Sequence, residues 1–171
     1  RLKKLLTGQA FDLAAVESLR DDHQHYVAGV DHYANLHGKG CLVNNLDVVV
    51  LGATEIDINF NVNTVTFSNN VLAQPIGGHQ DTAAGARFTI ITAPMMRGRL
   101  PVVIDEVTTV TTPGETVDAL VTGYGIAINP RRDDLQDMVK NSGLNIVDIE
   151  DLKNLAYRKA GINEEKKQKW G

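Results

Sequence analysis

Apolar positions along this chain follow two periods, and the change between them divides it. Near the start, Phe11, Ala14, Ala15 and Leu19 recur at helical spacing and predict a helix over Phe11–Arg20. Tyr26–Val30 is a short, weakly strand-like stretch. From Leu46 the pattern becomes extended. Leu46–Leu51 is nearly continuous, β-branched and apolar, which predicts a strand covered on both faces. Ile56, Ile58, Phe60 and Val62 alternate with polar residues and predict one further strand with a single buried face. Phe88–Thr92 and Val102–Ile104 read as core strands. Thr112-Pro113-Gly114-Glu115 has the residue order of a type II turn and predicts a hairpin between Val107–Thr111 and Val117–Thr122.

After Gly123 and Gly125 a last strand is expected at Ile126–Ile128, and the period then returns to helical. Leu135, Met138 and Val139 place one face of a helix over Pro130–Asn141, with Gly143 as its C-cap. Ile149, Leu152, Leu155 and Ala156 predict a second helix over Asp148–Ala160, closed by Gly161. Asp148 is the expected N-cap, with Asp151 as a weak capping-box partner. Leu144–Val147 between them can form another strand, and the charged tail Glu164–Lys169 is expected to fray. With strands in the middle and helices at both ends, the fold class expected is α/β, an open mixed sheet with flanking helices, forming a single domain over residues 1–171.

Composition narrows the function classes. A chain of 171 residues with 43% hydrophobic content has a real core, and a domain of this size buries about 70% of its unfolded surface. The net charge of −4, without a basic face, argues against a nucleic-acid partner. One cysteine, Cys41, excludes an internal disulfide and suits a reducing compartment. No apolar run approaches the ~18 residues of a membrane span, and the apolar part of the first six residues is short for a secretion signal. The expected location is cytoplasmic.

The segment Ile76-Gly77-Gly78-His79-Gln80-Asp81 carries the most specific chemistry. Adjacent glycines admit a close approach by a ligand or by other backbone, and their N–H groups can stabilise a developing oxyanion. A tight turn before a helix starting near Asp81 or Thr82 explains the same residues without chemistry. His79 can act as acid or base, or hydrogen-bond a carboxylate, but no serine or cysteine nucleophile is paired with it. Asn59, Asn61 and Asn63 share one face of an extended strand and can form a polar wall for a carboxylate or thioester. An edge strand running into a turn at Ser68-Asn69-Asn70 is the plainer explanation. Glu55 and Asp57, two residues apart, admit an acid–base pair or simple solvation. His23, His25, His32 and His37 lack the fixed spacing of a metal site, so no metal is expected. Arg97 and Arg99 can meet phosphates or carboxylates, and Gly123-Tyr124-Gly125 is too short for a dinucleotide fingerprint.

Five segments, LGATEIDINFNVN, IGGHQDTAAGA, APMMRGRLP, VTTPGETVDALVT and GIAINPRR, together closely resemble the alpha subunit family of citrate lyase, itself similar to family I coenzyme A transferases. The resemblance runs from about Phe11 to Gly161 and corresponds to the C-terminal half of a two-domain subunit. It implies an open α/β fold of coenzyme A transferase type. The activity it implies is exchange of acetate for citrate on a coenzyme-A-like thiol, giving a citryl thioester for cleavage to oxaloacetate and acetate. The partners it implies are an acyl carrier protein, the lyase subunits of citrate lyase and further copies of the subunit. No tightly bound cofactor is implied, only coenzyme A or the carrier's prosthetic group as substrate. The resemblance implies that Gly77, Gly78 and Asn63 fall at the reacting acyl group, and His79, Gln80 and Asn61 are expected toward the substrate carboxylates. Glu17 falls in a helix matching another part of the pattern, so either the family's nucleophilic glutamate lies outside this sequence or the exchange runs through a mixed citric–acetic anhydride without a covalent enzyme thioester. Two rival expectations are a non-catalytic half-site that binds coenzyme A or carrier protein, and an acyl-CoA hydrolase on the same fold.

Overall fold

The computed structural model describes residues 3–162 except Leu36 and Ser68. The tail Glu164–Lys169 lies outside the described residues. In chain order the elements are β1 (Leu5–Thr7), α1 (Leu13–Asp21), β2 (His25–Val27), α2 (Val30–Tyr33), β3 (Val48–Gly52), β4 (Glu55–Asp57) and β5 (Val62–Asn63). Then follow α3 (His79–Gly85), β6 (Phe88–Thr92), β7 (Met96–Arg97), β8 (Leu100–Pro101), β9 (Val103–Ile104), β10 (Ala119–Thr122), β11 (Gly125–Ile128), α4 (Asp133–Val139) and α5 (Ile149–Ala160).

The α/β expectation holds, with the strands distributed over several sheets. The main one is mixed, in the order β11-β10-β6-β3. Strands β3, β6 and β10 are parallel, and β11 returns antiparallel beside β10. A second sheet, β5-β4-β9, shares one core cluster with it. Ile56, Phe60, Val62, Ile91, Val102, Val103 and Leu120 are fully buried in the shared core. Helix α5 seals that core with Ile149, Leu152 and Ala156. Helix α3 lies in the connection from β5 to β6, and Thr89 Oγ1 donates to the Ala83 carbonyl to fix it on the sheet. A small parallel pair, β1-β2, carries α1 and α2 at the N-terminal side.

Three expectations are corrected. The alternation from Ile56 to Val62 is not one strand but a tight hairpin, β4 turning into β5. The Asp57 carboxylate, fully buried, accepts from the amides of Asn59 (2.9 Å), Asn61 (3.0 Å) and Val107 (3.3 Å) and from Asn61 Nδ2 (3.2 Å). Those bonds hold the turn closed while Phe60 takes a left-handed φ of 64° and enters the core. A period-two pattern persists through such a turn because both of its arms are extended.

The expected hairpin around Pro113 does not form either. Residues 107–111 form no strand, and Thr112 instead bridges to Val62. Gly114–Thr116 makes a 3₁₀ turn, and β10 pairs with β11 through Gly123-Tyr124. Gly114 has another duty. A Cβ there would overlap the Asn59 carbonyl oxygen, and its N–H donates to Asn61 Oδ1 at 2.9 Å.

The third correction concerns β3, expected to be covered on both faces. Alternate residues are open, with Val48 48% and Val50 58% exposed. Its continuous apolar run had masked the pleat. At α5, Asp148 occupies the N-cap position without a side-chain capping bond, while Gly161 closes the helix at φ 67° as expected. Leu144–Val147 contributes one parallel bridge, Ile126 to Ile146.

Replacing Gly114 by Ala forces a methyl into the 59–61 turn. It is expected to lower the unfolding free energy by about 2–3 kcal/mol, read as a reduced urea midpoint at constant slope. An unchanged midpoint would show that the turn yields freely.

Candidate functional site

The carboxyl ends of the parallel strands form one row, because Gly52 pairs with Thr92 and Thr92 with Val121. Ligand sites of open α/β sheets lie at this edge. A shallow cleft of about 240 Å³ opens there, lined by Thr92, Ala93, Pro94, Val121, Thr122 and Gly123. The Gly77-Gly78 loop is tied to the same row through His79.

The two glycines do different work. Gly77 is exposed and left-handed, at φ 58°, with nothing within 4 Å of the position a Cβ would take. Gly78 is buried, and a Cβ there would lie 2.7 Å from the Ala34 Cβ and 3.1 Å from the Tyr33 ring. So Gly78 is required by packing against α2, whereas Gly77 faces open space. The Gly78 carbonyl accepts from both the amide (3.0 Å) and the hydroxyl (2.8 Å) of Thr82, turning that carbonyl into α3. Among the described residues none accepts from the N–H of Gly77 or Gly78. Helix α3 begins at His79, earlier than the start near Asp81 or Thr82 that the turn reading expects.

His79 is 9% exposed, and both ring nitrogens are engaged inside the protein. Nε2 lies 2.8 Å from the Gly52 carbonyl and Nδ1 lies 2.6 Å from Thr112 Oγ1. A carbonyl only accepts, so Nε2 carries the proton and Nδ1 accepts from the threonine hydroxyl. Burial pushes its pKa below the usual histidine value, with the Gly52 hydrogen bond opposing the shift. Beside it, Gln80 donates through Nε2 to Asp81 at 3.1 Å, and Gln80 Oε1 is buried without a partner among the described residues.

The three asparagines do not line one face. Asn59 is exposed on the hairpin turn. Asn61 bridges Asp57 and the Gly114 amide. Asn63 is fully buried, its Oδ1 accepting from the amides of Val65 (3.0 Å) and Thr66 (3.1 Å) and its Nδ2 donating to Thr66 Oγ1 (3.0 Å). Asn63 does sit beside Val62, which pairs with Thr112, so it lies one step along the chain from the His79 anchor. Glu55 and Asp57 are both buried, which excludes the solvated reading, and Asp57 is occupied by the turn it holds.

Of the histidines near the start, His25 is buried against Ser18 Oγ at 2.9 Å. No group of three His, Cys, Asp or Glu among the described residues can hold a metal. Arg97 donates to the Ala53 carbonyl at 2.8 Å, and Arg99 is exposed. No described helix is long and apolar enough to cross a membrane. The sequence pattern gives no sign of Tyr33 and marks Thr112 only as the start of a turn, not as a partner of His79. Only the strand bridge and the α2 packing bring them to the loop.

His79 sets a pH dependence of stability. The folded state favours the neutral ring, while the unfolded chain takes up a proton near the ordinary value of 6.5. The unfolded state then binds more protons, so stability present above that pH is lost as pH falls below it. Urea unfolding at about pH 7.5 and 5.5 should show this loss in the wild type and a smaller one in His79→Gln. Parallel pH curves for the two would refute it.

Against known proteins, the family profile described as Citrate lyase, alpha subunit (CitF) matches residues 1–169. The citrate lyase alpha chain of Klebsiella pneumoniae is 49% identical over 155 residues, 91% of this chain and 30% of that protein. The corresponding chain of Haemophilus influenzae is 46% identical over 164 residues, 96% of this chain and 33% of that protein. This chain therefore spans about a third of the length of these relatives. A citrate lyase alpha subunit of Streptococcus mutans, solved in complex with citrate, superposes with a TM-score of 0.86 at 44% identity, covering 93% of this chain and 31% of that one. RipA of Yersinia pestis shares the fold alone, with a TM-score of 0.51 at 19% identity over 84% of this chain and 32% of that one. The chain belongs to the citrate lyase alpha subunit family.

Proposed function

We propose that this chain forms part of a citrate CoA-transferase, in which citrate replaces acetate on a coenzyme-A-like thiol of an acyl carrier protein. The citryl thioester passes to the lyase subunits for cleavage to oxaloacetate and acetate. The setting is cytoplasmic, and the carrier protein, the lyase subunits and further copies of the alpha chain are its partners. The citrate bound to the Streptococcus mutans relative supports the substrate assignment.

The observation that carries this reading is Gly77: exposed, left-handed and open on its Cβ side, at the head of a loop whose N–H groups find no acceptor among the described residues. When a carboxylate attacks the acyl thioester, the carbonyl oxygen gains negative charge. In this reading the N–H groups of Gly77 and Gly78 stabilise it, a contribution typically worth ~10²–10³ in rate per donor. Asn63 shapes the neighbouring turn through the bonds described above, and Asn61 holds the Gly114 segment beside it. Gln80 retains an acceptor, Oε1, with no described partner.

Gly77→Ala in the complete alpha chain isolates the loop, because its methyl meets no protein atom within 4 Å, unlike a side chain at Gly78. Alanine in this conformation costs about 1–2 kcal/mol. Citrate-dependent formation of citryl-CoA from acetyl-CoA is expected to fall at least tenfold while the folded state persists. An unchanged rate would remove the acyl group from this loop, and a wild-type chain that releases acetate without citrate would be a hydrolase instead.

A further inference from the structure

We infer that His79 is a positioning residue that latches the glycine loop to the sheet, rather than a group that touches substrate. This rests on the transferase reading of the loop, although the latch itself is a matter of geometry. The His79 side chain leaves the first residue of α3, directly after Gly77-Gly78, and points inward. Its Nε2–H donates to the carbonyl of Gly52, the last residue of β3. Its Nδ1 accepts from Thr112, whose backbone is bonded to Val62: the Val62 amide donates to the Thr112 carbonyl at 2.9 Å, and the Thr112 amide donates to the Val62 carbonyl at 3.1 Å. One imidazole thus joins the loop to the carboxyl end of the main sheet and to the second sheet at once.

Neither ring nitrogen is left for citrate. A neutral imidazole has one donor and one acceptor, and both are spent. What the ring supplies is a fixed distance between the Gly77-Gly78 N–H groups and the strand ends. Hydrogen-bond donors stabilise a transition state only when held in place before charge develops. The two contacts separate cleanly by substitution. Glutamine can keep the donor to Gly52, asparagine can keep the acceptor for Thr112, and phenylalanine fills the space with neither.

The experiment uses the complete alpha chain and reads two quantities. In His79→Phe, hydrogen exchange of the α3 amides is expected to speed up at least tenfold, while β6 amides keep their protection. In the same variant kcat for citrate-dependent exchange is expected to fall at least tenfold, with KM for citrate within about twofold, since the affected donors act on the transition state. His79→Gln is expected to restore most of kcat, and Thr112→Val to reproduce part of the loss. Unchanged α3 exchange overturns the latch whatever the activity. A loss that falls on KM for citrate assigns His79 to substrate contact and overturns the positioning role, as does faster exchange with unchanged kcat. Absence of citrate-dependent turnover in the wild type fails the transferase reading alone, and the exchange data still judge the latch. If His79→Phe does not fold, Thr112→Val and His79→Asn give the same two readouts with smaller disturbance.

Discussion

The buried carboxylate of Asp57 is the constraint from which the second sheet follows. A chain running extended from Glu55 to Asn63 would carry its apolar residues away from the main sheet. Asp57 instead collects the amides of Asn59 and Asn61 and the Asn61 side chain, reversing the chain within four residues. The reversal drives Phe60 into the core and lays Val62 where it pairs with Thr112. Its fourth bond, from the Val107 amide, brings in the segment that leads to Thr112. A buried carboxylate is costly unless its lone pairs are satisfied, and here backbone and amide donors satisfy them. Without that cluster the anchor point for His79 would not exist.

From there the site is assembled by contacts between segments far apart in sequence. Gly52 ends one strand, His79 begins one helix and Thr112 belongs to an irregular segment, and the ring between them fixes all three. Tyr33 and Ala34, from the N-terminal side, press on Gly78 from behind. The loop is therefore held from both sides while Gly77 alone faces outward. This division explains why two adjacent glycines are needed: one for the room taken by a neighbour, the other for a backbone conformation with open space beside it.

Much of this was legible in the residues, and the failures fall where local pattern and tertiary contact disagree. Helices over Leu13–Asp21, Asp133–Val139 and Ile149–Ala160 and strands at Phe88–Thr92 and Gly125–Ile128 follow directly from periodicity. The glycine loop was visible as a motif because few other roles tolerate that composition. What periodicity could not show was where the chain turns without glycine or proline. Asp57–Asn61 has no glycine or proline, so its reversal was hidden, and the asparagines looked like a wall when they are the turn itself. Conversely Pro113-Gly114 advertised a hairpin, yet its glycine serves a close approach to the 59–61 backbone. The inward direction of His79 was likewise hidden, since its partners are a backbone carbonyl and a threonine that no spacing rule connects to it.

The open side of β3 has a consequence for how this polypeptide behaves in concentrated solution. Val48 and Val50 lie on the outermost strand of the main sheet, half exposed and without a charge between them. Valine-rich edge strands are sticky: their free N–H and C=O groups template pairing with any extended chain, and their side chains reward it. Natural sheets blunt such edges with lysine, proline or a covering element. Here the described residues supply none of these along Val48–Gly52, so colloidal stability rests on what covers that strand, and a single lysine at position 50 would be the gatekeeper that this sequence lacks.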